Sequence, residues 1–155
     1  MHEAAVEGAV AGFNASRDEA QAFERKVPLA IAFTQPDIVS VGTSFDQLSE
    51  DDIFIGKALT ETDGRSRILS KKQGVLRIYV DRKDGKLLGA SMIGARAEHI
   101  AQFLALALTQ KLDVYQLLDT PFYHPVVEEL VQTALRDIAR QMEPSIYPLG
   151  LTPIK

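Results

Sequence analysis

The residues with the most chemical reach in this 155-residue chain stand in PFYHPVVEEL, residues 121–130. His124 is followed by Pro125 and then by the adjacent acids Glu128 and Glu129. An imidazole just outside a helix start can point one ring nitrogen at a carboxylate, which fixes its tautomer. The other nitrogen is then left to exchange a proton with a substrate. The same residues also make an ordinary helix start. Pro125 suits the first helical position, and acids in the opening turns favour the positive end of the helix dipole. Both readings fit the residues, and either acid is a candidate partner. A proton-exchange site also needs a substrate pocket, and the rest of the chain does not supply one.

Other candidate chemistry is sparse. The chain has no cysteine, which excludes a thiol nucleophile, a disulfide and a thiolate metal site. The glycines of GASMIGARAE lack dinucleotide-loop spacing, and neither HExxH nor GxSxG occurs. Ser91 and Ser145 have no neighbouring histidine or acid to activate them. His2 and His99 stand apart, so no metal site is expected. Arg65, Arg67, Lys71 and Lys72 cluster loosely and read as a solvated strand edge. A net charge of −4 disfavours nucleic acid and anionic membrane as partners. No apolar run is long enough to span a bilayer, and the start lacks a signal peptide's basic and apolar blocks. A cysteine-free chain fits a cytoplasmic protein.

Positioning His124 requires a framework, and hydropathy periods outline one. Residues 3–24 are rich in Ala and Glu and read as a helix, weakened by Gly8 and Gly12. LAIAF at 29–33 reads as a short buried strand and IVSVG at 38–42 as a second. DQLSEDD reads as an acidic surface loop or a single helical turn. IFIGKALT at 53–60 and RSRIL at 65–69 read as strands joined by the turn ETDGR. VLRIYVD and LLGASMIG flank Asp84-Gly85, a strong hairpin signal, and Gly89 marks a bulge or a close backbone approach. The period then becomes helical over about 96–110 and again over 125–141, with Asp113 capping a short helix between them. The proline-rich tail EPSIYPLGLTPIK reads as irregular. Strands followed by helices predict an α+β fold, an antiparallel sheet with helices packed on one face.

Three stretches carry a resemblance: FTQPDIVSVG at 33–42, GKLLGASMIGARAEHI at 85–100 and YHPVVEELVQTAL at 123–135. Together they resemble the C-terminal dimerisation domain of the flavin-dependent pyridine nucleotide–disulfide oxidoreductases, in particular the dihydrolipoamide dehydrogenases and their relatives. The opening HEAAVEGAVAGFNA is similar to the last helix of that family's FAD domain. The resemblance therefore implies that residues 1–26 are the tail of an FAD-binding domain and residues 27–155 a dimerisation domain. The cofactor-binding regions and a cysteine pair would lie upstream in a longer parent. It implies a homodimer in which His124 serves the partner subunit's active site as acid/base. Glu129, five residues on, holds it, and the His124 backbone faces the partner's flavin. FAD and NAD(P) are implied for the parent and no cofactor for this chain, which would be inactive by itself. A purely structural homodimerisation module is the competing expectation.

Overall fold

The computed structural model describes residues 2–71 and 73–142. Its centre is a five-stranded antiparallel sheet of strands β1 (Leu29–Ala32), β2 (Asp37–Gly42), β3 (Ile53–Leu59), β4 (Val75–Asp81) and β5 (Leu87–Gly94), in the order β1-β2-β5-β4-β3. The helices are α1 (His2–Ala15), α2 (Gly64–Ile68), α3 (Ala97–Thr109), α4 (Val114–Leu118) and α5 (Glu129–Gln141). Helix α3 lies against β2 and β5, and α5 lies against β3 and β4. Strand alternation sends Val39, Val41, Leu76, Ile78, Val80 and Met92 into the layer beneath the helices. They meet Ile100 and Leu104 of α3 and Leu130, Val131, Leu135 and Ile138 of α5, all buried. The expected α+β layer is therefore present.

The β4–β5 hairpin forms as its turn chemistry requires. Gly85 has φ +70°, and Asp81 N–H donates to Lys86 O at 2.9 Å. Both readings of Gly89 hold. Tyr79 pairs with Gly89 but Val80 pairs with Leu87, so Leu88 is the extra residue of a bulge. A side chain at Gly89 would also collide with the Thr43 backbone. Asp113 caps α4 through a capping box with Gln116.

Several expected elements differ. The opening helix ends at Ala15 instead of running to residue 24. Phe13 O is taken by Ser16 Oγ (3.0 Å) and Arg17 Nη1 (2.9 Å), and Asn14 and Gln21 exchange two bonds that fold the chain back. LAIAF is an edge strand with alternate residues exposed, so it is not a buried one. The acidic loop contains two 3-10 turns, Phe45–Gln47 and Glu50–Asp52. RSRIL is not a strand but lies mostly in helix α2. Asp63 caps this helix by accepting the Ser66 N–H at 2.6 Å, and Ser66 is buried. Arg65 and Arg67 thus sit on a helix and not on a strand edge, and Lys72 and the proline-rich tail lie outside the described residues.

The contact between α5 and the edge strand β3 fixes the last helix. At Gly56 a Cβ would run into the Ala134 carbonyl and come within 2.6 Å of Ile138 Cγ1. On either side, Asp137 Oδ2 accepts the Lys57 N–H (3.0 Å) and Gln141 Nε2 donates to Ile55 O (2.9 Å). The helix thereby satisfies backbone groups that β3 would otherwise present as an open edge. Gly56→Ala is expected to destabilise the protein by about 2–3 kcal/mol through overpacking against helix backbone. Thermal denaturation measures this, and an unchanged melting temperature would contradict the packing described.

At the start of α3, Asp37 accepts the Arg96 N–H, which by itself lowers the pKa of its carboxyl. Partial burial and the adjacent Glu98 carboxyl outweigh this and raise Asp37 above the ordinary 3.8. A raised acid contributes stability that is complete below its unfolded pKa and is lost as pH rises through the folded pKa. Asp37→Asn is therefore expected to raise the melting temperature at about pH 7, with the gain shrinking towards about pH 4. A gain independent of pH would point to another cause.

Candidate functional site

Residues 121–128 form no regular element and are positioned by what flanks them. Phe122 turns inward, its ring edge-on to Phe103 of α3 with centroids 6.3 Å apart. Val127 is buried in the core, while Tyr123 between these anchors is 80% exposed. The His124–Pro125 peptide is cis. Tight bonds follow, from Glu129 N–H to Val126 O (3.3 Å), Leu130 N–H to Val127 O (3.1 Å) and Val131 N–H to Glu128 O (2.9 Å).

The long helix therefore begins at Glu129, four residues later than expected from 125, and Pro125 is not its first residue. The physical reason lies at Val126. Its N–H is bound by the Glu129 carboxylate (Oε2, 3.1 Å), which closes a turn ahead of the helix. Glu128 stands at the N-cap and makes no side-chain capping bond.

The structure brings His124 and Glu129 together. His124 Nδ1 lies 2.9 Å from Glu129 Oε1 and 3.2 Å from Oε2. Of the two candidate acids, Glu129 is the one that the family resemblance implied. An ionised carboxylate only accepts, so Nδ1 carries the proton that is shared with it and Nε2 holds the free lone pair. The His124 side chain is 76% exposed and that of Glu129 24%. The acid is thus held in the protein surface, and the imidazole it orients projects outward with Nε2 available. Such a pair can take a proton from a group delivered from outside this chain and return it.

The remaining candidates do not join the pair. His99 is a partly exposed histidine with an acid beside it and lies apart from His124. Its Nε2 lies 3.4 Å from Glu98 Oε1 on α3. Ser91 Oγ is hydrogen-bonded to the Tyr79 hydroxyl at 2.7 Å, with no histidine or acid recorded beside it. Ser145 lies outside the described residues. Among the described residues, no group of three or more His, Cys, Asp or Glu side chains could hold a metal ion. No described helix is long and apolar enough to cross a membrane. The sequence reading missed two neighbours of the pair, the Val126 N–H that fixes Glu129 and Gly64, where a Cβ would come within 3.7 Å of His124 Cε1.

A broad groove of about 740 Å³ lies elsewhere, lined by residues of α1 and of 23–28. Glu3, Glu7 and Glu24 line it, and Arg25, one of its two basic residues, is 3.7 Å from Glu7. A flavin dinucleotide needs donors around its pyrophosphate. The three carboxylates of this lining do not match that need.

Comparison with known proteins decides the family. Residues 28–135 match the model for the dimerisation domain of pyridine nucleotide-disulphide oxidoreductases. The chain belongs to this family. This chain is 32% identical over 114 residues to dihydrolipoyl dehydrogenase of Rhizobium etli, covering 72% of this chain and 24% of that protein. It is 29% identical over 135 residues to dihydrolipoyl dehydrogenase 2 of Haloarcula marismortui (86% of this chain, 28% of that protein). A mercuric reductase of Shewanella putrefaciens is 27% identical over 144 residues (89% and 26%). The chain thus spans about a quarter of the length of these relatives. Its fold is shared with LpdA of Mycobacterium tuberculosis (TM-score 0.74, 21% identity, 90% of this chain and 30% of that one). The flavoprotein disulfide reductase RclA of Escherichia coli shares it too (TM-score 0.71, 22% identity, 83% and 30%).

The site geometry makes a prediction of its own. In Glu129→Gln, an amide carbonyl can keep the Val126 N–H, but the NH₂ then faces His124 Nδ1 and forces it to accept. The neutral ring should switch from the Nδ1–H to the Nε2–H tautomer, seen as an exchange of its two ¹⁵N shifts. Identical shifts in the variant would show that Glu129 does not set the tautomer.

Proposed function

We propose that this chain is the dimerisation domain of a larger FAD- and NAD(P)-dependent disulfide oxidoreductase similar to dihydrolipoyl dehydrogenase. In that homodimer His124 and Glu129 supply an acid/base pair to the partner subunit's active site. The observation that carries the reading is the outward imidazole, held at Nδ1 by a partly buried carboxylate with Nε2 uncommitted. A complete site would enclose this ring in a substrate cleft. Here it stands on the surface, as half of a site shared between subunits would. The relatives' names and the chain's quarter share of their length support a parent with further domains.

In this reading Nε2 accepts the proton of a substrate thiol. The thiolate attacks one sulfur of a disulfide, forms a mixed disulfide and expels the other sulfur as thiolate, to which the imidazolium can return the proton. Glu129 stabilises the imidazolium and keeps the ring aimed. FAD and NAD(P), bound by other parts of the parent, would supply the electron transfer. The chain by itself would then be inactive. Residues 1–26 are assigned to the end of the FAD-binding domain, residues 27–155 to the dimerisation domain, and the His124 backbone to a position facing the partner's flavin. A cytoplasmic location belongs to the same reading.

One observation favours a purely structural role instead. The Glu129 carboxylate also ties down the Val126 N–H, so the pair has a use as a helix start. A variant of the full-length protein separates the two. His124→Gln should lower turnover with a dithiol substrate by roughly 10²–10⁴-fold, the scale of lost acid/base catalysis, while dimerisation and flavin content stay unchanged. Unchanged turnover would leave only the structural module.

A further inference from the structure

Gly64 opens helix α2 directly beside the proposed acid/base. A Cβ built on it would lie 3.7 Å from His124 Cε1, the ring carbon between the two nitrogens. Nδ1 on one side of that carbon is taken by Glu129, so residue 64 borders the approach to Nε2. We propose that Gly64 and the first turn of α2 are the side wall of the His124 site, and that the small size of residue 64 sets how bulky a thiol or disulfide can reach Nε2. This inference rests on the acid/base reading.

The fold gives no other reason for glycine here. Its φ lies outside the left-handed region, so the backbone does not require it. A contact at 3.7 Å is ordinary van der Waals distance, so a Cβ is not excluded by packing. Glycine inside a helix is unfavourable relative to alanine, and the first turn carries some of that penalty. What the missing side chain does provide is open space on the imidazole flank.

The wall is also fixed in place. Asp63 is buried and accepts the Ser66 N–H, and its own N–H donates to Thr60 O at 3.2 Å. Thr62 Oγ1 donates to Leu59 O at 2.8 Å. Thr60 N–H donates to Gly74 O at 3.1 Å, which ties the turn to the residue before β4. A group entering beside His124 therefore meets a backbone anchored to the sheet.

The test uses Gly64→Ala and Gly64→Val, the alanine variant guarding against misfolding because it favours the helix. In this chain, carbethoxylation by diethyl pyrocarbonate is followed by mass spectrometry at His124, with His99 as internal reference. The valine variant should slow modification of His124 by roughly two- to threefold, less than the tenfold of a closed pocket because the ring is exposed, and the alanine variant by less. His99 should be unaffected. Equal His124 rates in all three proteins, with unchanged circular dichroism, overturn the wall. In the full-length enzyme, Gly64→Val should reduce turnover of a lipoyl-protein substrate more than turnover of dithiothreitol. If His124→Gln impairs turnover but Gly64→Val acts equally on both substrates, this inference fails and the acid/base reading survives. If His124→Gln has no effect, both fail.

Discussion

The domain depends on how closely α5 approaches β3. At Gly56 the strand has no side chain, and the Ala134 carbonyl occupies the space one would take. Asp137 and Gln141 then bond the strand backbone on either side of that point. A sheet edge needs partners for its outward N–H and C=O groups, and a helix needs a fixed seat; this contact meets both needs at once. Glu129 is the first residue of the seated helix, so the acid that orients His124 is placed by a contact more than a helical turn away.

The site is assembled in the same sequence of dependencies. The core holds Val127 and Leu130, and Phe103 holds Phe122. Between these anchors the chain has only Tyr123 and His124 to turn outward before Pro125. Glu129 then divides its carboxylate between a backbone N–H and an imidazole nitrogen. Rigidity of the backbone and orientation of the ring thus come from one side chain. This is why a structural role of the motif and the proposed catalytic one are compatible, and why removing the acid and removing the histidine have different physical consequences.

Legibility in the sequence followed locality. The β4–β5 hairpin, the Asp113 cap and the two long amphipathic helices were readable because turn residues and apolar periods lie within a few positions. His124 and a nearby acid were readable for the same reason, but the residues left Glu128 and Glu129 both open and only the family resemblance implied Glu129. RSRIL misled because a short run after the turn ETDGR, ending in Ile68 and Leu69, suits the return strand of a hairpin, while the cap at Asp63 that makes it helical looked like part of that turn. The roles of Gly56 and Gly64 were not readable at all. Each is defined by an atom distant in sequence, and nothing in the letters around a glycine says what approaches it.

The two halves of this small constellation differ in contact order. His124 and Glu129 are five positions apart, so their hydrogen bond closes one short loop and can form as soon as that turn does. The seat of α5 on β3 joins residues eighty positions apart and must wait for the sheet. An early, nascent turn can therefore already hold an aimed imidazole, but its place in space is set late, when the chain from β3 to α5 has closed. The orientation of the imidazole thus depends on a local bond and its location on a long-range one, set by different parts of the sequence.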